Sequence, residues 1–305
     1  MTIRYDRPVS PAAFLARRLG LLSFGVLVAV ILAHRFGPLT TPDFVALLGV
    51  SVALAALAVP LALVGLVRLW QVGALGGVAA SRGLLYSLPT ALLAAYGIYL
   101  YQTRPPIYDV STDVMEAPRW VAEPAASQQW FVRPPVTAAT REAQALAYPG
   151  LTGRRYEGAL DRVYQAVGKV AAANGIEITG SRGKEFAVPE FQPPKPEAVE
   201  GQAELQPFDP GNVPVPVPRP EPDLRLAVPG PDEPQGVVRL QGQTRTMVLG
   251  RRYDIVIRLR EEAETTLVDM RVAARYGPWD LGTGAEIAQS FLSALDVELL
   301  GIAGD

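Results

Sequence analysis

The 305-residue chain has no cysteine and one histidine, His34, and only three lysines stand against twenty-five arginines. Without cysteine there are no disulfides, zinc–thiolate centres or thiol nucleophiles, and neither side of a membrane is disfavoured. With one histidine, no second imidazole can complete a metal site or a proton relay. His34 is expected to be an interfacial residue. No G-x-S-x-G elbow, Walker loop or dinucleotide fingerprint is present, and no pattern implies a cofactor. A net charge of -2 says nothing about nucleic acid, but there is no basic stripe interleaved with aromatics, so nucleic-acid binding driven by counterion release is not expected. The lysine shortage reads first as the codon habit of a GC-rich genome.

Charge is also missing locally. Leu19 to Ala33, Phe44 to Val67 and Gly83 to Thr103 contain no Asp, Glu, Lys or Arg, and each is a candidate membrane span. The second and third reach the roughly 20 residues that a hydrocarbon core requires. The first is shorter and spans if Arg17 and Arg18 snorkel to the interface. A cleaved signal peptide is the competing reading, disfavoured by Ile31 at a position that needs a small residue. Arginines on the N-terminal tail and second loop (Arg4, Arg7, Arg17, Arg18, Arg68, Arg82) outnumber those on the other side. The N-terminus is therefore expected in the cytoplasm and everything after Arg104 in the periplasm of an inner membrane.

Residues 1–104 thus form a three-span domain, 105–151 a Pro-broken juxtamembrane belt, and 152–305 a soluble domain. In the belt, Asp109, Ser111 and Asp113 repeat the first spacings of a calcium loop. Val114 and Trp120 stand where glycine and glutamate are required, so a turn stitched by side-chain bonds is the better reading. Within the soluble domain, Tyr156 to Ala173 has helical periodicity. Ile176 to Thr179 and Lys184 to Val188 read as short strands around a turn at Gly180–Gly183. Pro189 to Gly236 holds 14 of the 28 prolines and nine carboxylates, and is expected to be a disordered excursion or a proline-recognition ligand. Val237 to Leu249, Tyr253 to Arg260 and Thr265 onward read as strands. Gly284 to Leu300 reads as a helix opened by a Thr283–Glu286 capping box.

The fold class expected is α+β: three transmembrane helices, then an antiparallel sheet with two helices on one face, in the order α-β-β-β-β-α around a long Pro-rich insertion. The clearest strand alternates Val268, Met270, Val272 and Ala274 against Asp269, Arg271, Ala273 and Arg275. Matching the core faces of the last two strands leaves Arg258 opposite Asp269, or Asp254 opposite Arg271; the first closes the tighter hairpin and is expected.

PPIYDVSTD (105–113), QALAYPG (144–150), RRYDIVIRLR (251–260) and VDMRVAARYGPWDLG (268–282) resemble the bacterial membrane-associated family called domain of unknown function 1499. The family pattern has a basic, Asn-containing run after DLG, where this chain has Gly284 to Ile287. The resemblance implies no activity.

Candidate chemistry rests on one group of side chains. Arg258, Asp269 and Asp254 are expected as structural ion pairs on a solvated face. Arg271, Arg275 and Asp280 are the ligand candidates, the arginines presenting forks to a phosphate or carboxylate. The function expected is binding or scaffolding of an envelope component, whether anionic lipid, wall polymer or protein, by a domain held on the lipid bilayer. An envelope hydrolase using the Asp/Arg cluster is the alternative.

Overall fold

The computed structural model describes residues 7–187 and 235–301. Three long apolar helices come first: α1 (Pro11–Phe36), α2 (Thr41–Val72) and α3 (Gly77–Thr103). All three are long and apolar enough to cross a membrane. Each outruns its charge-free core; α1 starts before Arg17 and Arg18, and α3 before Arg82. The α2 start is set by Thr40, whose hydroxyl accepts from the Asp43 amide, and its end by Gly73 in the left-handed region.

Small residues let the helices approach. A Cβ on Gly20 would sit 2.5 Å from the Gly83 carbonyl oxygen, so α1 and α3 touch backbone to backbone there. Buried in the same bundle, the Ser23 and Ser51 hydroxyls each donate to the other residue's carbonyl at 2.9 Å, and Ser23 Oγ lies 3.0 Å from Thr90 Oγ1. Every hydroxyl in this cluster is satisfied without water.

The rest of the described chain is an α+β domain around one antiparallel sheet. Its elements are β1 (Asp109–Ser111), α4 (Ala138–Ala147), β2 (Arg154–Glu157), α5 (Leu160–Ala173), β3 (Glu177–Arg182), β4 (Val237–Arg245), β5 (Arg252–Glu261), β6 (Thr265–Ala274) and α6 (Thr283–Gly301). Strand order is β1-β6-β5-β4-β3, with β2 also paired to β6. Tyr253, Ile255, Ile257 and Leu259 of β5, with Val268, Met270 and Val272 of β6, pack with α5 and α6 in a single core. Each such side chain contributes about 1.5–3 kcal/mol by leaving water.

The sheet has six strands, and the segments read from the sequence supply four of them, β3 to β6. The additional two, β1 and β2, are three and four residues long, and both pair with β6. Tyr156 belongs to β2, so the helix starts later, at Leu160. Gly180 and Ser181 do not turn; β3 runs through them with a bulge at Ile178–Gly180, and the turn falls at Gly183, whose φ is +74°. Residues 184–187 form a single 3-10 turn, not a strand. The expectation for Pro189–Gly236 lies, up to residue 234, outside the described residues.

Candidate functional site

The polar face of the sheet is the candidate site, and it is not solvated. Alternation places Asp254 and Arg258 of β5, Asp269 and Arg271 of β6 and Arg239 of β4 on one side. The juxtamembrane segment after β1 lies over them. Arg239 donates to the Arg119 and Trp120 carbonyls at 2.7 and 3.3 Å, and Gln241 bonds the backbone of Val121 and Ala122. Both faces of β5 and β6 are therefore buried, one by helices and one by a strap of irregular backbone.

Under that strap the charges pair internally. Arg258 stands opposite Asp269, the register expected from charge and parity, and donates to it through Nε and Nη2 at 3.1 and 2.7 Å. The same Nη2 reaches Asp113 of the strap at 2.8 Å. Asp113 also accepts from the Met115 and Glu116 amides, the stitched turn anticipated at this place. Asp109 of β1 accepts from Arg271 Nη2 at 2.7 Å and from Arg141 Nη2 of α4 at 2.8 Å. Arg271 lies over the Trp120 ring, 4.7 Å from its centroid. Arg275 is bonded to Asp254 and donates to Gln243 Oε1 at 3.0 Å.

These contacts correct one expectation. Arg271 and Arg275 are not the freer guanidinium groups, because Asp109 and Asp254 take them. For Arg271 the reason is the strand β1, whose carboxylate arrives from a segment that local pattern cannot place in the sheet; for Arg275 it is Asp254 of the neighbouring strand β5. Gln144 of α4 finishes that edge by accepting from the Ser111 amide at 3.2 Å and donating to its carbonyl at 2.5 Å, as a neighbouring strand would.

Asp280 is also placed differently from a ligand group. It is fully buried, and its two oxygens accept from the Gly282 and Gly284 amides, both at 2.8 Å. The carboxylate, not the Thr283–Glu286 box, caps α6, and Glu286 turns instead to Arg104 at 3.3 Å. The cap requires a tight Asp-Leu-Gly bend in which Leu281 takes a φ of +58°. Burial pushes the Asp280 carboxyl above the usual carboxylate range, against the pull of those two amides.

The rung of the ladder nearest the helices is different. Arg245 of β4 and Arg252 of β5 are direct cross-strand partners, like charges side by side. Among the described residues neither forms an ion pair. Burial and then the Arg245 and Arg275 charges lower the Arg252 pKa below the usual value, as expected where cations crowd. Beside Arg245 lies an open cavity of about 620 Å³, bordered by Arg35 and Phe36 from the end of α1 and by Glu177 and Gln243 from the sheet edge.

The hairpin tip joining β4 to β5 fixes this rim to the helices. The Leu249 carbonyl accepts from His34 Nδ1 at 2.6 Å, the Thr246 carbonyl accepts from Arg35 Nη1 at 3.0 Å, and His34 Nε2 lies 3.1 Å from Thr41 Oγ1. His34, expected at an interface, is buried at a join between α1 and the domain.

Residues 226–295 match a family model. It is described as protein of unknown function (DUF1499), and it is the family that the sequence resembles. No curated protein and no solved structure matches the chain. The DUF1499 match covers β4, β5, β6, the loop after β6 and most of α6, which carry Arg245, Arg252, Asp254, Arg258, Asp269, Arg271, Arg275 and Asp280. Asp109, Asp113, Arg141 and Gln144, which complete the ladder, lie outside the matched residues. Arg245 and Arg252 are the residues that the sequence reading missed. The only signal would have been their register, which follows from extending the β4–β5 pairing to its end.

Proposed function

We propose that the chain is an inner-membrane protein with a cytoplasmic N-terminus, whose α+β domain faces the periplasm and binds an anionic envelope component without catalysis. The observation that carries this reading is the Arg245–Arg252 pair. Two guanidinium groups held opposite one another, Arg245 bordering an open cavity and neither having a carboxylate partner among the described residues, form a site that an anion stabilises. A phosphodiester of a wall polymer or lipid head group fits, because each arginine presents a planar fork to its oxygens. The tie from His34 and Arg35 to the hairpin tip supports placing the rim at the bilayer surface, within reach of such a ligand.

The ladder beneath the strap supports a structural role for its own residues. Asp254 and Asp269 are nearly fully buried and spent on arginines, and Asp280 is spent on a helix cap. A hydrolase would need an acid and a base in separate environments facing a substrate. None of the three faces a cavity described above.

Titration of the full chain in nanodiscs with fluorescent polyglycerol phosphate tests the reading, with neutral dextran as control. Binding that weakens about tenfold or more in R245Q/R252Q, the loss of two charge-assisted contacts, is the expected result. Equal binding by that variant, or equal binding of dextran, would overturn it.

A further inference from the structure

The opposite end of the helices holds a second cationic site. A cavity of about 800 Å³ lies between the start of α1, the 73–76 turn and the start of α3. Arg7, Arg17 and Arg82 line it, contributed by the N-terminal segment, α1 and α3. Among the described residues none of the three pairs with a carboxylate. Among the described residues the cavity lining contains no Asp or Glu.

Two further features select the ligand. Gly76, with a φ of +134°, is the N-cap of the 27-residue α3, and no side chain caps it and no acid stands in its first turn. Gly76, Gly77 and Val78 border the cavity, so the positive end of the helix opens into it beside the arginines. The remaining wall is apolar, with Phe14, Leu69 and Leu85 partly exposed along the lipid-facing sides of the helices. A free phosphate would leave that wall in water, whereas a phospholipid would cover it with its acyl chains.

We propose that this cavity binds an anionic phospholipid of the leaflet on the N-terminal side. Its phosphate sits among Arg7, Arg17, Arg82 and the α3 N-terminus, and its chains run along Phe14, Leu69 and Leu85. The head group is anionic and not zwitterionic, because none of the described residues of the lining is a carboxylate that could receive an ammonium group. Basic pockets between spans are a recurrent solution for such head groups. This site is separate from the Arg245–Arg252 rim and stands whichever way the chain is oriented.

Native mass spectrometry of the detergent-solubilised full chain, titrated with phosphatidylglycerol or phosphatidylcholine, tests the proposal. Arg7 and Arg82 are exposed, so R7Q/R82Q should fold. It should bind phosphatidylglycerol about 30-fold more weakly, from roughly 1 kcal/mol per arginine near an anionic head group. R18Q, which removes an arginine outside the cavity lining, should bind as the wild type does. S81E places a negative charge at the cavity wall without removing an arginine and should also lose the lipid. Undiminished phosphatidylglycerol binding by R7Q/R82Q and S81E would overturn the proposal, as would phosphatidylcholine binding equally well. Complete displacement of the lipid by millimolar inorganic phosphate would assign the site to a soluble anion and overturn it too.

Discussion

Asp269 faces Arg258 across the β5–β6 pair and receives both Nε and Nη2 on one oxygen, Oδ2, with the side chains 3% and 7% exposed. At that burial the pair matters mainly through what its removal leaves behind. Asp269→Ala leaves the buried Arg258 charge with Asp113 of the strap as its remaining close carboxylate and should cost about 3 kcal/mol, the lower end for a broken buried pair. The melting temperature of the full chain should fall by roughly 6–12 °C, on a scale of roughly 2–4 °C per kcal/mol. Replacing both residues together, R258M/D269L, should recover most of the loss. A double variant as unstable as the single one would contradict the pairing.

Asp280 gives the domain a pH dependence of unusual sign. Its folded pKa is raised by burial, so its contribution is fully present below the unfolded value and is lost as pH rises through the folded one. Asp280→Asn cannot titrate, and its one amide oxygen cannot accept as the two carboxylate oxygens do. The stability advantage of wild type over D280N should therefore grow as pH falls from 7 toward 4. Thermal unfolding of both proteins across that range checks it, and a shrinking advantage would contradict it.

His34 joins α1 to the domain through the Leu249 carbonyl. His34→Ala leaves that partly buried carbonyl unpaired, at about 1 kcal/mol. The loss should be local: amide exchange in residues 246–250 should accelerate while β5 and β6 stay protected. Unchanged exchange at the hairpin tip would show that the join carries no stability.

How far the sequence foretold this follows from the range of each interaction. β5 and β6 were legible because ten-residue strands repeat their alternation several times, and charge plus parity then set their register. β1 and β2 were not, since strands of three and four residues among prolines and glycines are defined by pairing with β6 and not by their own pattern. The engagement of Arg271 was hidden for the same reason, its partner Asp109 lying 162 residues away. At Gly180 the residue type suggested a turn, while pairing with β4 carried the strand past it with a bulge. Asp280 looked like a free carboxylate because an Asp-Leu-Gly bend caps a helix only in a backbone shape that sequence alone does not specify.

The Pro-rich segment should be dispensable for the domain. The described chain runs beside the start of β4 before it breaks off, since a Cβ on Gly183 would collide with the Val237 carbonyl and the turn at 184–187 touches β4. A short Gly/Ser bridge in place of residues 189–234 should therefore close without distorting β3 or β4. The melting temperature is expected to stay within about 5 °C, a shift of roughly 1–2 kcal/mol in a domain of this size. A larger drop would mean that the segment packs on the domain.

The side of the membrane that carries the domain decides whether an envelope ligand can reach the Arg245–Arg252 rim at all. The direct measurement is a pair of reporters fused after Asp305: alkaline phosphatase, active only outside the cytoplasm, and a fluorescent protein that matures only inside it. The arginine distribution around the spans predicts an active phosphatase and a dark fluorescent protein. A fluorescent fusion with inactive phosphatase would place the domain in the cytoplasm and contradict the account.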